Sequence, residues 1–278
     1  MRAIDARHMG NDKVICIWEL DGILVDPGPQ STEDTLLDAL DGREPRAVLL
    51  THIHFDHAGV AGALVRRWPD LPVYVHERGA PHLAAPERLV KSAARVFGGE
   101  EGLARAWGEI VPVPERNLHV LHGGETVLGD FRVEYTPGHA SHHVSFLHEP
   151  SGTAFIGDVA GVRIPPSDYV LAPTPPPDVD VEAWVRSLDI VAGWDPEALA
   201  LTHFGRVDDV GVHLAAMRER LHEFVGLAAR HGLEAFAAGV VERIERGAGD
   251  VADRYTQASP PDNGYVGLRR YLDKRAAG

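Results

Sequence analysis

Apolar positions recur along this chain in two rhythms. Short β-branched or apolar runs bounded by Gly, Pro or Asp read as strands, and stretches with apolar residues three and four apart read as helices. Residues 14–20 and 23–26 are two strand signals joined by Asp21-Gly22, a pair suited to a tight hairpin; the second run stops at Pro27-Gly28-Pro29. Ser31 or Thr32 is placed to cap a helix ending at Leu40. A buried strand follows at 47–51, a helix at 58–68 and a strand at 73–76. Residues 80–110 predict helices broken at Gly98-Gly99 and Gly102. Strand signals then fall at 118–121, 131–136, 144–147 and 153–156. Residues 165–177 are too rich in proline for a central strand. The rest predicts a helix at 181–191, a strand at 198–202, a long helix at 207–230 and a helical tail, 232–278, with a breaker at 259–264.

Composition narrows the class. With 278 residues, 44% of them apolar and 24% charged, the chain can bury a sizeable core. Its formal charge of −14 opposes nucleic-acid backbones and anionic lipid, so neither is an expected partner. The single cysteine, Cys16, excludes an internal disulfide and cysteine-based metal cages, and its apolar strand marks it as a buried filler. With no long apolar run and a polar start, a cytoplasmic protein is expected. Histidine is the unusual residue, at 16 of 278.

The histidines concentrate at His52-Ile53-His54-Phe55-Asp56-His57, between the 47–51 strand and the 58–68 helix. In an extended segment His52 and His54 project to one side, while Asp56 and His57 fall where the chain turns into the helix. Four donors split two and two suit a pair of adjacent ions, and imidazole nitrogen with carboxylate oxygen suits Zn²⁺, Fe or Mn²⁺. At this chain's composition, chance would produce such a cluster in roughly 0.4% of chains of this length, before the strand-to-helix setting is required. Other strand ends offer more donors. Thr136-Pro137-Gly138-His139 places His139 after a Pro-Gly turn, Ile156-Gly157-Asp158 offers a carboxylate, and Thr202-His203 another imidazole. Leu50-Thr51-His52 and Leu201-Thr202-His203 echo each other, as two similar halves would if each presented a histidine at a strand end.

In this order, these motifs resemble the metallo-β-lactamase superfamily over about residues 13–206. The resemblance implies an α/β fold, a four-layer αβ/βα sandwich, with a catalytic domain at 1–206 and a helical extension at 207–278. It implies that His52, His54 and His139 hold one ion, that Asp56, His57 and His203 hold a second, and that Asp158 bridges them. Two divalent ions, zinc before iron or manganese, would share a hydroxide that attacks a small ester, thioester, lactone or phosphoester, with Asp56 and Asp158 as the catalytic carboxylates. Asp26 ends a Val-Asp-Pro-Gly strand that lies beside the site in the family. His143 matches a supporting histidine of the family pattern, and His142, replacing a Gly, either contacts substrate or faces solvent. Tyr169, in the proline-rich segment, is a candidate for the cleft rim.

Details of the pattern separate branches. Asp158 speaks against antibiotic hydrolysis, since those members generally lack the bridging Asp, and His54 speaks against the flavodiiron branch. The negative charge disfavours a ribonuclease Z. Lactonases and phosphodiesterase-like members remain; hydroxyacylglutathione hydrolase (glyoxalase II) is disfavoured more weakly, because the tail lacks an obvious Arg/Lys-rich glutathione site, although Arg243, Arg246 and Arg254 keep it open. The His76-Glu77-Arg78-Gly79-Ala80-Pro81-His82-Leu83 run looks like a bacterial and archaeal subgroup in which some relatives are phosphotriesterase-like. The alternative is a persulfide dioxygenase-like oxidoreductase using one iron. Residues 77–110 form an insertion placed to act as a lid, where Phe97, Trp107 and His82 either line a pocket or pack the helices. Trp184 and Trp194 are expected in the core, and 264–271 as internal packing or a homodimer contact.

Overall fold

The computed structural model describes residues 1–95 and 97–277; Val96, within the expected insertion, and Gly278, at the end of the expected tail, lie outside the described residues. The chain forms two compact units, residues 1–125 and 126–278. The 206/207 position falls inside the second unit, so the helices after it fold together with that unit's strands.

The first unit carries β1 (Arg2–Asp5), β2 (Cys16–Leu20), β3 (Ile23–Val25), α1 (Glu33–Leu40), β4 (Ala47–Leu49), α2 (Phe55–Ala58) and α3 (Ala61–Arg67). It continues with β5 (Val73–His76), α4 (Ala80–Ala84), α5 (Glu87–Ala94), α6 (Glu100–Trp107) and β6 (Leu118–Leu121). Its sheet runs β1-β2-β3-β4-β5-β6. The first three strands are antiparallel, and β3 through β6 are parallel. The hairpin joins Leu20 to Ile23 across Asp21 and Gly22, at φ 50° and 81°, the left-handed pair that a two-residue turn of this hand requires. Strands β3 and β4 are wholly buried, as continuous apolar runs in a parallel sheet should be.

Two local expectations are corrected here, and the open one about the insertion is decided. The Thr32 hydroxyl donates to Pro29 O at 3.0 Å, closing the turn before α1 instead of capping it. The helix expected at 58–68 divides into α2 and α3, because helix begins inside the histidine motif at Phe55 and is interrupted at Gly59-Val60. In the insertion, Phe55, Ala94 and Leu103 bury one another with Leu89, Phe97 and Trp107 packed on them, and Trp107 stacks on His8 at 4.8 Å. Phe97 and Trp107 therefore pack the helices, while His82 lines a small cleft with Ile53, Phe55 and Leu83.

The second unit carries β7 (Thr126–Val127), β8 (Phe131–Tyr135), β9 (Val144–His148), β10 (Thr153–Phe155), α7 (Val181–Gly193), β11 (Ala198–Leu201) and β12 (Gly205–Val207). Helices α8 (Val210–Arg230), α9 (Leu233–Ala248), α10 (Ala252–Ala258) and α11 (Pro261–Ala277) follow. Its sheet runs β12-β11-β10-β9-β8-β7, with β10 and β11 parallel and the other pairs antiparallel. Trp184, Phe224, Phe236, Tyr255 and Leu268 fill its core. The tail breaks at Ser259-Pro260 and resumes at once, because Pro261 suits the first helical position. Gly264 thus lies inside α11, its missing side chain leaving room for Thr174. The 264–271 stretch packs internally: Gly264, Gly267, Leu268 and Tyr271 are buried, and the Tyr271 hydroxyl donates to Glu182 at 2.9 Å. Among the described residues no helix is long and apolar enough to cross a membrane.

His213, on α8, is 1% exposed and donates from Nε2 to Ala160 O at 2.8 Å. Burial pushes its pKa down to about 4, with Arg163 adding to the shift and the Ala160 bond and Asp209 opposing it. The native ring therefore stays neutral where an unfolded histidine, with a pKa near 6.5, takes up a proton. Its stabilisation is complete above pH ~6.5 and is lost as pH falls toward about 4, by on the order of 3 kcal/mol. Urea unfolding of wild type and His213→Gln at pH 7.5 and 4.5 checks this. Wild type should lose more stability between the two pH values than the variant; equal losses would contradict it.

Candidate metal centre

In the first unit the donors are arranged by a carboxylate. Asp26 follows β3, His52 follows the neighbouring parallel strand β4, and the Asp26 amide bonds to Leu49 O at 3.0 Å. Ligands commonly gather at the carboxyl ends of parallel strands. Asp26 is 0% exposed and accepts three hydrogen bonds. The Thr51 amide donates to Oδ1 at 2.8 Å, the Thr51 hydroxyl to Oδ2 at 2.7 Å, and His57 Nδ1 to Oδ2 at 2.8 Å. A hydroxyl has one proton to give. Thr51 gives it to Asp26, so at 3.1 Å His52 Nδ1 must be the donor to Thr51 Oγ1. One buried carboxylate thereby puts the protons of both His52 and His57 on Nδ1 and turns each Nε2 outward as a lone pair.

The remaining donors of this unit lie beside those nitrogens. His52 Nε2 and His54 Nδ1 are 2.9 Å apart, and the His52 and His57 rings sit 4.0 Å centre to centre. His57 Nε2 is 3.8 Å from Asp56 Oδ2. His52 and His57 are fully buried, whereas His54 and Asp56 are half-buried. The two pairs read along the motif therefore form one patch.

The second unit repeats the device. Asp158 follows β10 and His203 follows its parallel neighbour β11, so the Leu-Thr-His echo marks equivalent places in the two sheets. His139 Nδ1 donates to Pro173 O at 2.9 Å. A carbonyl only accepts, so His139 Nε2 carries the lone pair, and it faces Asp158 Oδ2 at 3.2 Å. His203 Nε2 stands 3.5 Å from Asp158 Oδ1. Two lone-pair donors that close need a proton or a cation between them. His139, Asp158 and His203 are 1%, 4% and 1% exposed, so bulk solvent does not screen these lone pairs from one another.

The other expected residues divide. His143 is buried and held through Nδ1 to Thr136 Oγ1 at 3.0 Å, its ring 6.3 Å from that of His139. His142 is half-buried. Tyr169 is a correction. Its ring lies under Arg220 at 4.8 Å and against Tyr255 at 5.7 Å, and burial pushes its phenol up to about 12, so it belongs to the packing of the C-terminal helices. Thr51 and the Pro173 carbonyl were not singled out from sequence. The Leu-Thr-His echo carried a signal for Thr51; nothing local marks Pro173, whose bond to His139 spans 34 residues.

As a donor set, neutral imidazole nitrogens and carboxylate oxygens fit divalent zinc, iron or manganese in both units. Comparison with known proteins agrees. The model of the metallo-beta-lactamase superfamily matches residues 19–203. The metallo-beta-lactamase fold-containing protein ST1585 of Sulfurisphaera tokodaii is 29% identical over 194 residues, 66% of this chain and 69% of that one. Its solved structure superposes with a TM-score of 0.71 over 96% of this chain and 97% of that one, at 24% identity, which supports the fold. The hydroxyacylglutathione hydrolase of Xanthomonas axonopodis pv. citri is 36% identical over 148 residues, 51% of this chain but only 45% of that enzyme. TTHA1623, solved in a di-iron-bound form, is 29% identical with a TM-score of 0.51, covering 70% of this chain and 89% of that one.

Replacing Asp26 tests the arrangement without any metal. Asp26→Asn should cost on the order of 1–3 kcal/mol, because an amide nitrogen would face one of three buried donors. Urea unfolding of the metal-free protein measures it, and an unchanged midpoint would contradict the proton assignment.

Proposed function

We propose that this chain, which belongs to the metallo-beta-lactamase superfamily, is a dinuclear metal-dependent hydrolase of a small ester, thioester, lactone or phosphoester. One ion would be held by His52, His54, His139 and Asp158, the other by Asp56, His57 and His203; the family pattern has Asp158 serve both, and its Oδ1 lies 3.5 Å from His203 Nε2. The observation that carries the reading is His139 Nε2 facing Asp158 Oδ2 at 3.2 Å, in a buried place where both groups offer lone pairs. Resemblance to proteins named metallo-hydrolase and hydroxyacylglutathione hydrolase supports hydrolysis as the reaction class.

When bound, two such ions would polarise the substrate oxygen and lower the pKa of a shared water from 15.7 toward about 7. The chain's own residues have separate tasks. Asp26, directly for His57 and through Thr51 for His52, fixes the tautomer that offers Nε2. The Pro173 carbonyl does the same for His139. Asp158 supplies negative charge to balance the cations. Asp56, half-buried 3.8 Å from His57 Nε2, would orient the attacking water and pass its proton toward the leaving group. The burial of His52, His57, His139 and His203 excludes bulk water from the donor side.

Elemental analysis should find about two metal ions per chain. His139→Ala and Asp158→Asn should each lose at least one ion and about 100-fold or more of the hydrolytic rate on a panel of thioesters, lactones and phosphoesters. Unchanged turnover in both variants would contradict the assignment. One iron per chain together with sulfite release from glutathione persulfide would replace it with the oxidoreductase reading.

A further inference from the structure

The chain that carries Asp158 is gripped from behind by two ring nitrogens. Trp184, on α7, is 0% exposed, and its indole Nε1 donates to Val159 O at 2.7 Å. His213, on α8, donates from Nε2 to Ala160 O at 2.8 Å. The two carbonyls that follow Asp158 are thus taken in succession by donors from two helices. The turn closes on itself as well: the Val159 amide bonds to Ile156 O at 3.1 Å and the Gly161 amide to Asp158 O at 3.0 Å. Its outer carbonyls are therefore left for the helices.

Trp184 also reaches the other ligand loop. Its ring meets the His139 imidazole edge to face, with centroids 5.5 Å apart and planes at 84°. Gly138, at φ 139°, approaches so closely that a Cβ there would lie 2.3 Å from Trp184 Cα. Two further bonds tie the same helix to that loop, from the Asp180 amide to Gly138 O at 2.9 Å and from Ser187 Oγ to Pro137 O at 2.6 Å. Both ring groups are neutral donors, so they fix the backbone without bringing a charge up to the carboxylate. A phenyl ring keeps an aromatic face but has no N–H to satisfy Val159 O.

We propose that Trp184 and His213 are positioning residues for Asp158, and Trp184 for His139 too, which rests on the metal-centre reading above. Neither is placed to touch substrate; each acts by holding a ligand-bearing loop in register. The test compares Trp184→Phe, His213→Leu and His213→Gln with Trp194→Phe. Trp194 follows α7 at its far end and packs under Arg132 at 5.4 Å, so its variant reports a general loss of packing on the same helix. Co²⁺ affinity, measured by chelator competition, should fall about 10-fold or more in Trp184→Phe and His213→Leu. The Co²⁺ absorption bands should shift in both. Affinity should change less than about 2-fold in Trp194→Phe, and the Gln amide of His213→Gln should restore most of it. Wild-type affinity in Trp184→Phe, or an equal loss in Trp194→Phe, would overturn the proposal. Amide hydrogen exchange of the metal-free protein provides an independent reading. Trp184→Phe should speed exchange at Gly161 at least 10-fold more than Trp194→Phe does, and equal exchange in the two would overturn the proposal. If wild type bound no Co²⁺, the metal-centre reading would fail, and Gly161 exchange would still decide whether Trp184 holds the Asp158 loop.

Discussion

Asp26 is a carboxylate with no access to water, and it accepts three hydrogen bonds from the chain that surrounds it. A group of that kind can only accept, so each neighbour must bring a proton to it. Thr51 and His57 do so directly, and His52 Nδ1 in turn donates to the Thr51 hydroxyl oxygen. The cost of burying the charge is offset only while all three donors stay in place. The same requirement puts the lone pair of both imidazoles on Nε2. Stability of the strand ends and readiness to bind metal are therefore set by one group.

The two units solve this problem in similar ways. Each has a mixed six-stranded sheet, and in each an acidic residue and a histidine leave the carboxyl ends of neighbouring parallel strands. The units differ in what fixes the imidazole. The first uses a buried carboxylate, which adds charge. The second uses the Pro173 carbonyl for His139, which adds none, and keeps its carboxylate, Asp158, facing the ring nitrogens. The second unit thus has its carboxylate among the donors, whereas the first has one behind them, Asp26, and one among them, Asp56.

Much of this was legible from the chain alone, because metal-binding chemistry needs particular residue types at strand ends. The donors of the histidine motif, His139, Asp158 and His203 each stood beside a turn signal, and the structure puts each at such a place. The hairpin at Asp21-Gly22 was equally plain, since few residues tolerate two left-handed conformations in a row. Long-range partners were not legible. Thr51, Pro173, Trp184 and His213 act through bonds whose two ends lie far apart in sequence or whose role depends on a neighbour's proton. Strands β1, β7 and β12 are two to four residues long and sit at sheet edges, where pairing with a partner strand, not apolar pattern, defines them. Tyr169 followed an opposite course: its proline-rich surroundings suggested a rim, but the apolar faces of the C-terminal helices claim its ring.

The central proposal is that the imidazoles and carboxylates at these strand ends hold a pair of ions. Anomalous X-ray scattering from crystals of the zinc- or manganese-loaded protein addresses it most directly. The account predicts two peaks about 3.5–4 Å apart, one bounded by His52, His54 and His139, the other by Asp56, His57 and His203, with Asp158 between them. A single peak, or peaks remote from these side chains, would contradict it.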